Sequence, residues 1–214
     1  MSPKHTNSLS DRESETAKRR TGRPAFPREL VLAAADGLFA DASAPKAVTM
    51  DDIAAAAGVG KGTLFRAFGS RDGLLDALFM ARAAPLRDEL EREDSRMGPS
   101  VPPLERVLAV LDELALFKLN NQHLAAAREQ PGTRLLRSPH YVWTHETLAA
   151  LIGAIGPEAA ESADYWAHVL LGALRVDLID ELLAAGRPAD GIRHDLDALA
   201  RRLLTPAIDR GPAG

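Results

Sequence analysis

The chain contains no cysteine among its 214 residues, which excludes disulfide bonds, thiolate zinc sites and cysteine nucleophiles. It also lacks any apolar run near the ~20 residues that cross a bilayer, and its N-terminal stretch is too polar for a signal peptide. No segment alternates apolar and polar residues as a half-buried strand does. These absences, with the helical periodicity described below, predict an all-α cytoplasmic protein without a membrane partner.

Charge is distributed unevenly along the chain. Residues 1–71 hold 11 Lys and Arg against 8 Asp and Glu, a net charge of +3, whereas residues 72–214 have a net charge of −7. A basic N-terminal part joined to an acidic remainder is expected where only one part of a protein meets a polyanion.

Apolar residues recur with helical spacing over most of the chain, which predicts helices. Residues 1–22 and 208–214 are the exceptions, and we expect them to form flexible tails. Thr49, with Asp52 three residues later, suits a capping box, and Pro85 should kink or break the helix that contains it. Helices are predicted at about 27–40, 50–57, 61–68, 71–94, 103–119, 121–129, 139–154, 157–185 and 188–204.

The glycine-rich run AGVGKGT at 57–63 admits two interpretations. A phosphate-binding loop needs G-x-x-x-x-G-K-[ST] between a buried strand and a helix. Here Ala55 occupies the first glycine position, Gly62 displaces the hydroxyl residue, and the preceding TMDDIAAAA is helical. A helix-turn-helix fits better, because Ala54 lets two short helices touch and Gly58 supplies the positive φ of the turn.

The segment VTMDDIAAAAGVGKGTLFRAFGSRDGLLDALF resembles the DNA-binding domain of the TetR (tetracycline-repressor-like) family. The shared features are a Thr before the second helix, I-A-x-x-A-G-V, a G-T-L-aromatic run, Phe68 and a basic turn before a Leu-Leu helix. The resemblance is specific over about residues 26–78, and EQPGTRLLRSPHYVWTHETLAALI is similar to a C-terminal domain of some members. It implies an N-terminal three-helix helix-turn-helix domain, here 23–70, followed by a larger helical ligand-binding and dimerisation domain, here 71–207.

The resemblance also implies which side chains meet double-stranded DNA. Phe65 lacks the hydroxyl of the usual Tyr, and Ala67 stands where His or Tyr is usual, so two phosphate contacts are in doubt. The residues expected at phosphates or base edges are Thr49, Lys61, Gly62, Thr63, Phe65, Arg66 and Arg71.

A basic arm, KRRTGR, precedes the first helix. Its cations Arg19, Arg20 and Arg23 are expected to enter an adjacent minor groove, as the arms of homeodomains do. A solvated tail is the alternative interpretation.

After residue 71 the resemblance implies a homodimer that encloses a small-molecule pocket. Apolar residues between Tyr165 and Leu183 cover more than one helical face, which favours burial against both the same subunit and a second one. A central helix of a monomer would have the same pattern. The expected dimer residues are Val169, Leu170, Leu174, Leu178, Leu182, Leu199 and Leu203.

Pocket candidates are residues that combine aromatic surface with hydrogen-bonding groups, although each also suits an ordinary core. No metal site is expected, since His140 and His145 share no helical face and no carboxylate pattern matches them. Without G-x-S-x-G or H-E-x-x-H, no enzyme and no cofactor is expected either. The pocket candidates are Phe79, Phe117, Asn121, His123, Tyr141, Trp143, His145 and Trp166.

The sequence therefore predicts a dimeric transcriptional regulator, most simply a repressor released from a palindromic operator by a small lipophilic effector. Two alternatives stay open, a DNA-associated scaffold without a small-molecule ligand and a helical enzyme or nucleotide binder.

Overall fold

The computed structural model describes residues 26–42, 47–130 and 134–205, and within these ranges it contains eleven α-helices and no strand. The all-α prediction is confirmed. The predicted tails and the expected DNA-contacting cations Arg19, Arg20 and Arg23 lie outside the described residues. The helices are α1 Arg28–Asp41, α2 Met50–Ala56, α3 Lys61–Phe68, α4 Arg71–Arg82, α5 Ala84–Glu91, α6 Pro103–Asn120, α7 Gln122–Arg128, α8 Pro139–Gly153, α9 Pro157–Gly172, α10 Val176–Ala184 and α11 Ala189–Leu204.

Helices α1 to α3 form a three-helix unit whose local geometry follows from its caps and its turn. The amide of Asp52 donates to Thr49 Oγ1 over 3.2 Å and the amide of Thr49 donates to Asp52 Oδ2 over 2.9 Å, which confirms the capping box. Gly58 has a φ of +63°, which turns the chain from α2 into α3. Leu64 of α3 and Ala54 of α2 are buried between the helices.

Gly73 marks a close approach between the end of α3 and the start of α4. A Cβ atom at this position would overlap the carbonyl oxygen of Phe68, and side-chain rotation cannot relieve a clash with backbone. We expect Gly73→Ala to lower the free energy of unfolding by ~2 kcal/mol or more. The matched control is Gly62→Ala, a helical glycine with open space around it, which should be neutral or stabilising by up to ~1 kcal/mol. Urea unfolding measures both, and a Gly73→Ala midpoint equal to that of the wild type would contradict the close approach.

Two helices differ from their predicted extents. The predicted helix 71–94 breaks at Ala83, just before Pro85, as expected. The single helix predicted at 157–185 is wrong, because α9 ends at Gly172 and α10 begins only at Val176.

The break between α9 and α10 has a backbone cause. The amides of Leu174 and Arg175 bond to carbonyls only three residues back, and Arg175 is extended, with φ −63° and ψ 139°. The α-helical series of hydrogen bonds therefore stops there. The wide apolar surface between Tyr165 and Leu183 belongs to two separate helices, so it does not indicate one helix buried on two sides.

The break also changes which of the expected dimer residues face outward. Leu170 and Leu174, which are 0% and 2% exposed, are buried in the core of this chain, a correction to their assignment. The remaining five are exposed or half-buried: Val169, Leu178, Leu182, Leu199 and Leu203.

The buried side chains form two groups. One joins α1 to α4 and includes Phe39, Ile53 and Leu74, together with Leu124 and Ala127 of α7. The other fills the bundle of α6, α8, α9 and α11. Helix α7 therefore packs against the three-helix unit and connects it to the bundle. None of the described helices is long and apolar enough to span a membrane.

Candidate functional site

Helix α3 presents an exposed, mostly polar surface, which we call the recognition surface. Thr63 is half-buried, and Leu64 on the opposite side of the helix is fully buried. The helix is thus anchored by its inner side while its outer side stays free for a partner. The recognition surface consists of Lys61, Gly62, Thr63, Phe65 and Arg66.

Lys61 is held only loosely in this surface. Its Nζ lies 2.8 Å from Asp51 Oδ2, and both side chains are more than 60% exposed. An exposed ion pair contributes ~0–1 kcal/mol, so a polyanion can draw the ammonium away at little cost.

The two flanking residues of the expected DNA contact set behave differently. Thr49 is exposed, and its hydroxyl donates to Asp52 over 2.7 Å, which lowers the pKa of that carboxyl. Arg71 is half-buried and donates to the carbonyls of Val48, at 2.8 Å, and Ala127, at 3.1 Å. Arg71 therefore ties the start of α4 to α7, a role absent from the sequence analysis, and its phosphate contact stays a prediction.

A cavity of about 330 Å³ lies among α4, α6, α7, α8 and α9. Small-molecule sites start at about this size and have mostly apolar walls with a few polar groups. Three of the expected pocket residues, Phe79, Phe117 and Tyr141, line it. Its apolar wall is formed by Phe79, Leu114, Phe117, Leu135, Leu136, Leu171 and Leu174.

The other five expected pocket residues lie outside this cavity. Asn121 ends α6 by donating its side-chain amide to the carbonyl of Phe117 over 2.8 Å. His123 faces Asp36 of α1 at 3.7 Å, which is part of the packing of α7 on the three-helix unit.

The two tryptophans are structural in the same sense. Trp143 carries the guanidinium of Arg87 over its ring, 4.2 Å from the ring centroid. Trp166 packs against the core of the bundle. Neither tryptophan lines the cavity. An aromatic residue on a helix covers a core as often as it lines a binding site, so the residue type alone did not distinguish the two.

His145 belongs to a surface cluster with Asp164 and His168, which α8 and α9 bring together. Their potential ligand atoms lie within 4.8 Å of one another. The two imidazoles are stacked with centroids 3.9 Å apart, and His168 Nδ1 lies 2.7 Å from the Tyr141 hydroxyl. Lone pairs in stacked ring planes do not converge on one ion, so the expected lack of a metal site stays a prediction.

Charged side chains form one side of the cavity. Lys118 Nζ pairs closely with Glu129 Oε1, and Glu129 Oε2 accepts the amide of Val176 at the start of α10 over 2.9 Å. Burial lowers the pKa of Lys118 to about 7, because the ammonium is withdrawn from water; nearby Arg175 lowers it further, while Asp177 opposes the shift. This pair joins α6, α7 and α10 at the cavity.

A second ion pair joins the cavity to α4. Arg128 Nε donates to Asp76 Oδ1 over 2.8 Å, and the Arg128 side chain is only 4% exposed. Burial raises the pKa of Asp76, while Arg128 acts in the opposite direction. Asp76 lies on α4 and Arg128 ends α7, and both helices pack against the three-helix unit. A change at this pair would therefore alter the packing of that unit.

His140 lines the cavity beside two aromatic rings, with its ring centroid 5.3 Å from that of Phe79 and 6.1 Å from that of Phe117. Burial lowers the pKa of His140 to about 4, and the nearby cations Lys118, Arg87 and Arg128 lower it as well. The imidazole is therefore neutral at neutral pH.

Acid should destabilise the wild type more than His140→Phe. Unfolded, His140 titrates near 6.5, whereas the folded protein keeps it neutral down to about pH 4. The unfolded state binds more protons between these values, so stabilisation by the neutral ring is complete above pH 6.5 and lost as the pH falls to 4. Across this range we expect the free energy of unfolding to fall by ~3 kcal/mol more for the wild type than for the variant. Urea unfolding at several pH values tests this, and parallel curves would contradict it.

The charged cavity residues escaped the sequence analysis although a signal for them exists. Lys118 follows Leu111 and Leu114 on the buried stripe of α6, and Arg128 lies one turn after the buried Leu124. Charged side chains on a buried stripe are rare unless they are paired, so such positions indicate a functional or structural pair.

Comparison with known proteins agrees with this geometry. The family model described as bacterial regulatory proteins, tetR family, matches residues 31–78, which hold α2, α3 and most of α1 and α4. The uncharacterized HTH-type transcriptional regulator YhgD of Bacillus subtilis (strain 168) is 34% identical over 95 residues, 44% of this chain and 48% of that protein. The chain thus matches about half the length of this relative.

Solved structures extend the likeness to most of the fold. A TetR-like transcriptional regulator from Rhodococcus sp. RHA1 has 21% identity and a TM-score of 0.54 over 87% of this chain and 100% of that chain. A TetR transcriptional regulator from the same organism has 19% identity and a TM-score of 0.61 over 84% of this chain and 96% of that chain. At such identities the likeness shows the fold alone, and the family model carries the assignment of the N-terminal unit. Residues 31–78 of this chain therefore match the tetR family of bacterial regulatory proteins, and the rest of the chain shares the fold of TetR-like regulators.

Proposed function

We propose that this protein is a homodimeric transcriptional regulator, most simply a repressor, that leaves its operator when a small, largely apolar molecule fills the cavity. The observation that carries the proposal is the position of α4 and α7. Both helices contribute to the cavity, and both pack in the same core as the recognition helix α3.

The DNA-binding part of the proposal is supported by the recognition surface. Lys61 and Arg66 are exposed on a short helix whose inner side is buried, as in helix-turn-helix proteins that read a major groove. Two copies in a dimer would face successive major grooves about 34–36 Å apart or somewhat farther, on a pseudo-palindromic operator.

The dimer part is supported by apolar side chains that the single chain leaves uncovered. Val169, Leu178 and Leu199 are 37%, 43% and 41% exposed, and all three were expected at an interface. Tyr165 on α9 is 69% exposed as well. TetR regulators act as dimers, which fits such surfaces.

The ligand response is supported by contacts that run from the cavity to the DNA-binding unit. The Arg128–Asp76 pair joins the cavity to α4, and Arg71 at the start of α4 bonds to the carbonyl of Ala127 on α7. A molecule that binds one arrangement of α4 and α7 more tightly shifts the equilibrium toward it, and DNA then competes with that molecule by linkage. The cavity also counts against the alternative of a DNA-bound scaffold without a ligand.

Footprinting tests the DNA-binding proposal. The full chain is incubated with DNA from upstream of its own gene at physiological salt, and the protected region is mapped. We expect one or more protected sites with two related half-sites about one helical turn or slightly more apart. If the upstream DNA shows no protected region even at protein concentrations that bind random DNA, the result would count against sequence-specific regulation.

A thermal-shift screen followed by DNA release tests the ligand response. Compounds that raise the melting temperature are added to the protein–DNA complex, and the fraction of bound DNA is measured. We expect ligands of the cavity to release the DNA, because coupling of ~1–3 kcal/mol corresponds to roughly 5–150-fold in affinity. If compounds that raise the melting temperature do not change the affinity for DNA, the result would favour the alternative of a DNA-bound scaffold without a ligand response.

A further inference from the structure

Two polar atoms at the cavity have no hydrogen-bond partner among the described residues. They are Nη1 of Arg128 and Nδ1 of His140, and both atoms are inaccessible to solvent. Both residues line the cavity, and Arg128 is only 4% exposed. A buried donor without a partner is costly, so such atoms in a cavity wall indicate where a bound molecule places its own polar group.

The other polar side chains around these atoms already have partners within the protein. Lys118 pairs with Glu129, and Ser138 Oγ accepts the amide of Tyr141 over 3.2 Å. The hydroxyl of Thr144 donates to the carbonyl of His140 over 2.8 Å. These three side chains each have a partner, whereas Arg128 Nη1 and His140 Nδ1 have none in the described part of the chain.

The electrostatic field at this place favours negative charge. Burial is the largest cause of the low pKa of His140, and the nearby cations Lys118, Arg87 and Arg128 lower it further. Burial disfavours any charge at this place, whereas the field of the three cations opposes a proton on His140 and stabilises an anion beside it. A guanidinium with an unused N–H is also the donor that matches a carboxylate best.

We infer that the effector is a small amphipathic carboxylic acid, bound as the carboxylate by Arg128 and His140 with its apolar body against Phe79, Phe117 and Leu174. This inference rests on the proposed ligand cavity and specifies the class of molecule that fills it. The volume of about 330 Å³ limits the acid to a small one. A neutral His140 donates one N–H, and Arg128 supplies the charge.

The carboxylate would also compete with Asp76 for the guanidinium of Arg128. Asp76 holds that guanidinium through Nε alone. A second carboxylate on the same group weakens the tie between α7 and α4, which is the direction of change that the proposed release from DNA requires.

The test compares octanoate, 1-octanol and octylamine, which share a chain and differ in the head group. Isothermal titration calorimetry measures their binding to the full-length wild type without DNA, at neutral pH. We expect octanoate to bind at least about tenfold more tightly than either of the others, as charge-assisted hydrogen bonds do against neutral ones. Equal or tighter binding of 1-octanol or octylamine, or no octanoate binding at about 1 mM, would overturn the inference.

Two variants locate the head group. Arg128→Gln should weaken the binding of octanoate by about tenfold or more and change the affinity for 1-octanol by less than about twofold. Because Arg128→Gln can disturb the pair with Asp76, His140→Phe is measured too, and it should weaken octanoate alone. Arg96→Gln, at an exposed arginine away from the cavity, is the matched control. If both variants lose as much affinity for 1-octanol as for octanoate, the carboxylate head group does not bind at Arg128 and His140.

These measurements need no DNA. If the protein fails to bind its upstream DNA but prefers octanoate, the regulator proposal fails and the acid site stands. If DNA binding is specific and octanoate shows no preference, only the inference about the acid fails.

Discussion

Replacing both Lys61 and Arg66 by alanine should weaken operator binding by about 100-fold or more, because each loses a phosphate or base-edge contact of ~1–3 kcal/mol. The logarithmic salt dependence should become shallower by about two units, one for each lost cation. Fluorescence anisotropy with labelled upstream DNA at several salt concentrations measures both quantities.

The fold should survive this change. Both side chains are exposed, and the pair of Lys61 with Asp51 is worth at most ~1 kcal/mol. The matched control is Arg92→Ala with Arg96→Ala, which removes two exposed cations from the turn after α5. If the control double variant loses as much DNA affinity as the α3 variant, the recognition surface is wrongly placed.

Removing Arg128 should be among the most damaging single changes outside the apolar cores. Arg128→Met leaves Asp76, whose side chain is 17% exposed, without its counter-charge. Breaking a buried pair from one side costs ~3–5 kcal/mol, and we expect the free energy of unfolding to fall by about that amount. Asp76→Asn in the same background should restore part of the loss, because no unpaired carboxylate remains.

A double-mutant cycle measures this coupling by urea unfolding. The expected interaction energy between Asp76 and Arg128 is ~1–3 kcal/mol. Arg201→Met is the control, since its ion pairs with Asp197 and Glu105 are exposed and should contribute under ~1 kcal/mol. Additive effects of the two cavity substitutions would show that the pair does not tie α4 to α7.

The N-terminal unit could be predicted in detail because its signals are local. A capping box, a glycine with positive φ and a buried Leu64 each act within a few residues, and the structure contains all three. The break between α9 and α10 could not be predicted in this way. Leu174 and Arg175 carry no helix-breaking side chain, and Gly172, at which α9 ends, is a weak signal because glycine is also tolerated inside helices.

The cavity was predicted less well than the recognition surface, for a physical reason. The predicted pocket residues were aromatic and polar, and such residues are as common in packing contacts as in binding sites. Trp143 and Trp166 lie in packing contacts. The features that distinguish the cavity wall are pairs such as Arg128 with Asp76, 52 residues apart in the sequence. Such a pair exists only once α4 and α7 have docked.

The central claim is sequence-specific DNA binding by the recognition surface, and one titration tests it most directly. Fluorescence anisotropy compares upstream DNA with a random duplex of equal length at physiological salt. The account predicts at least roughly 10³-fold tighter binding to the upstream DNA, as specific protein–DNA complexes show. Equal affinity for the two duplexes would contradict it.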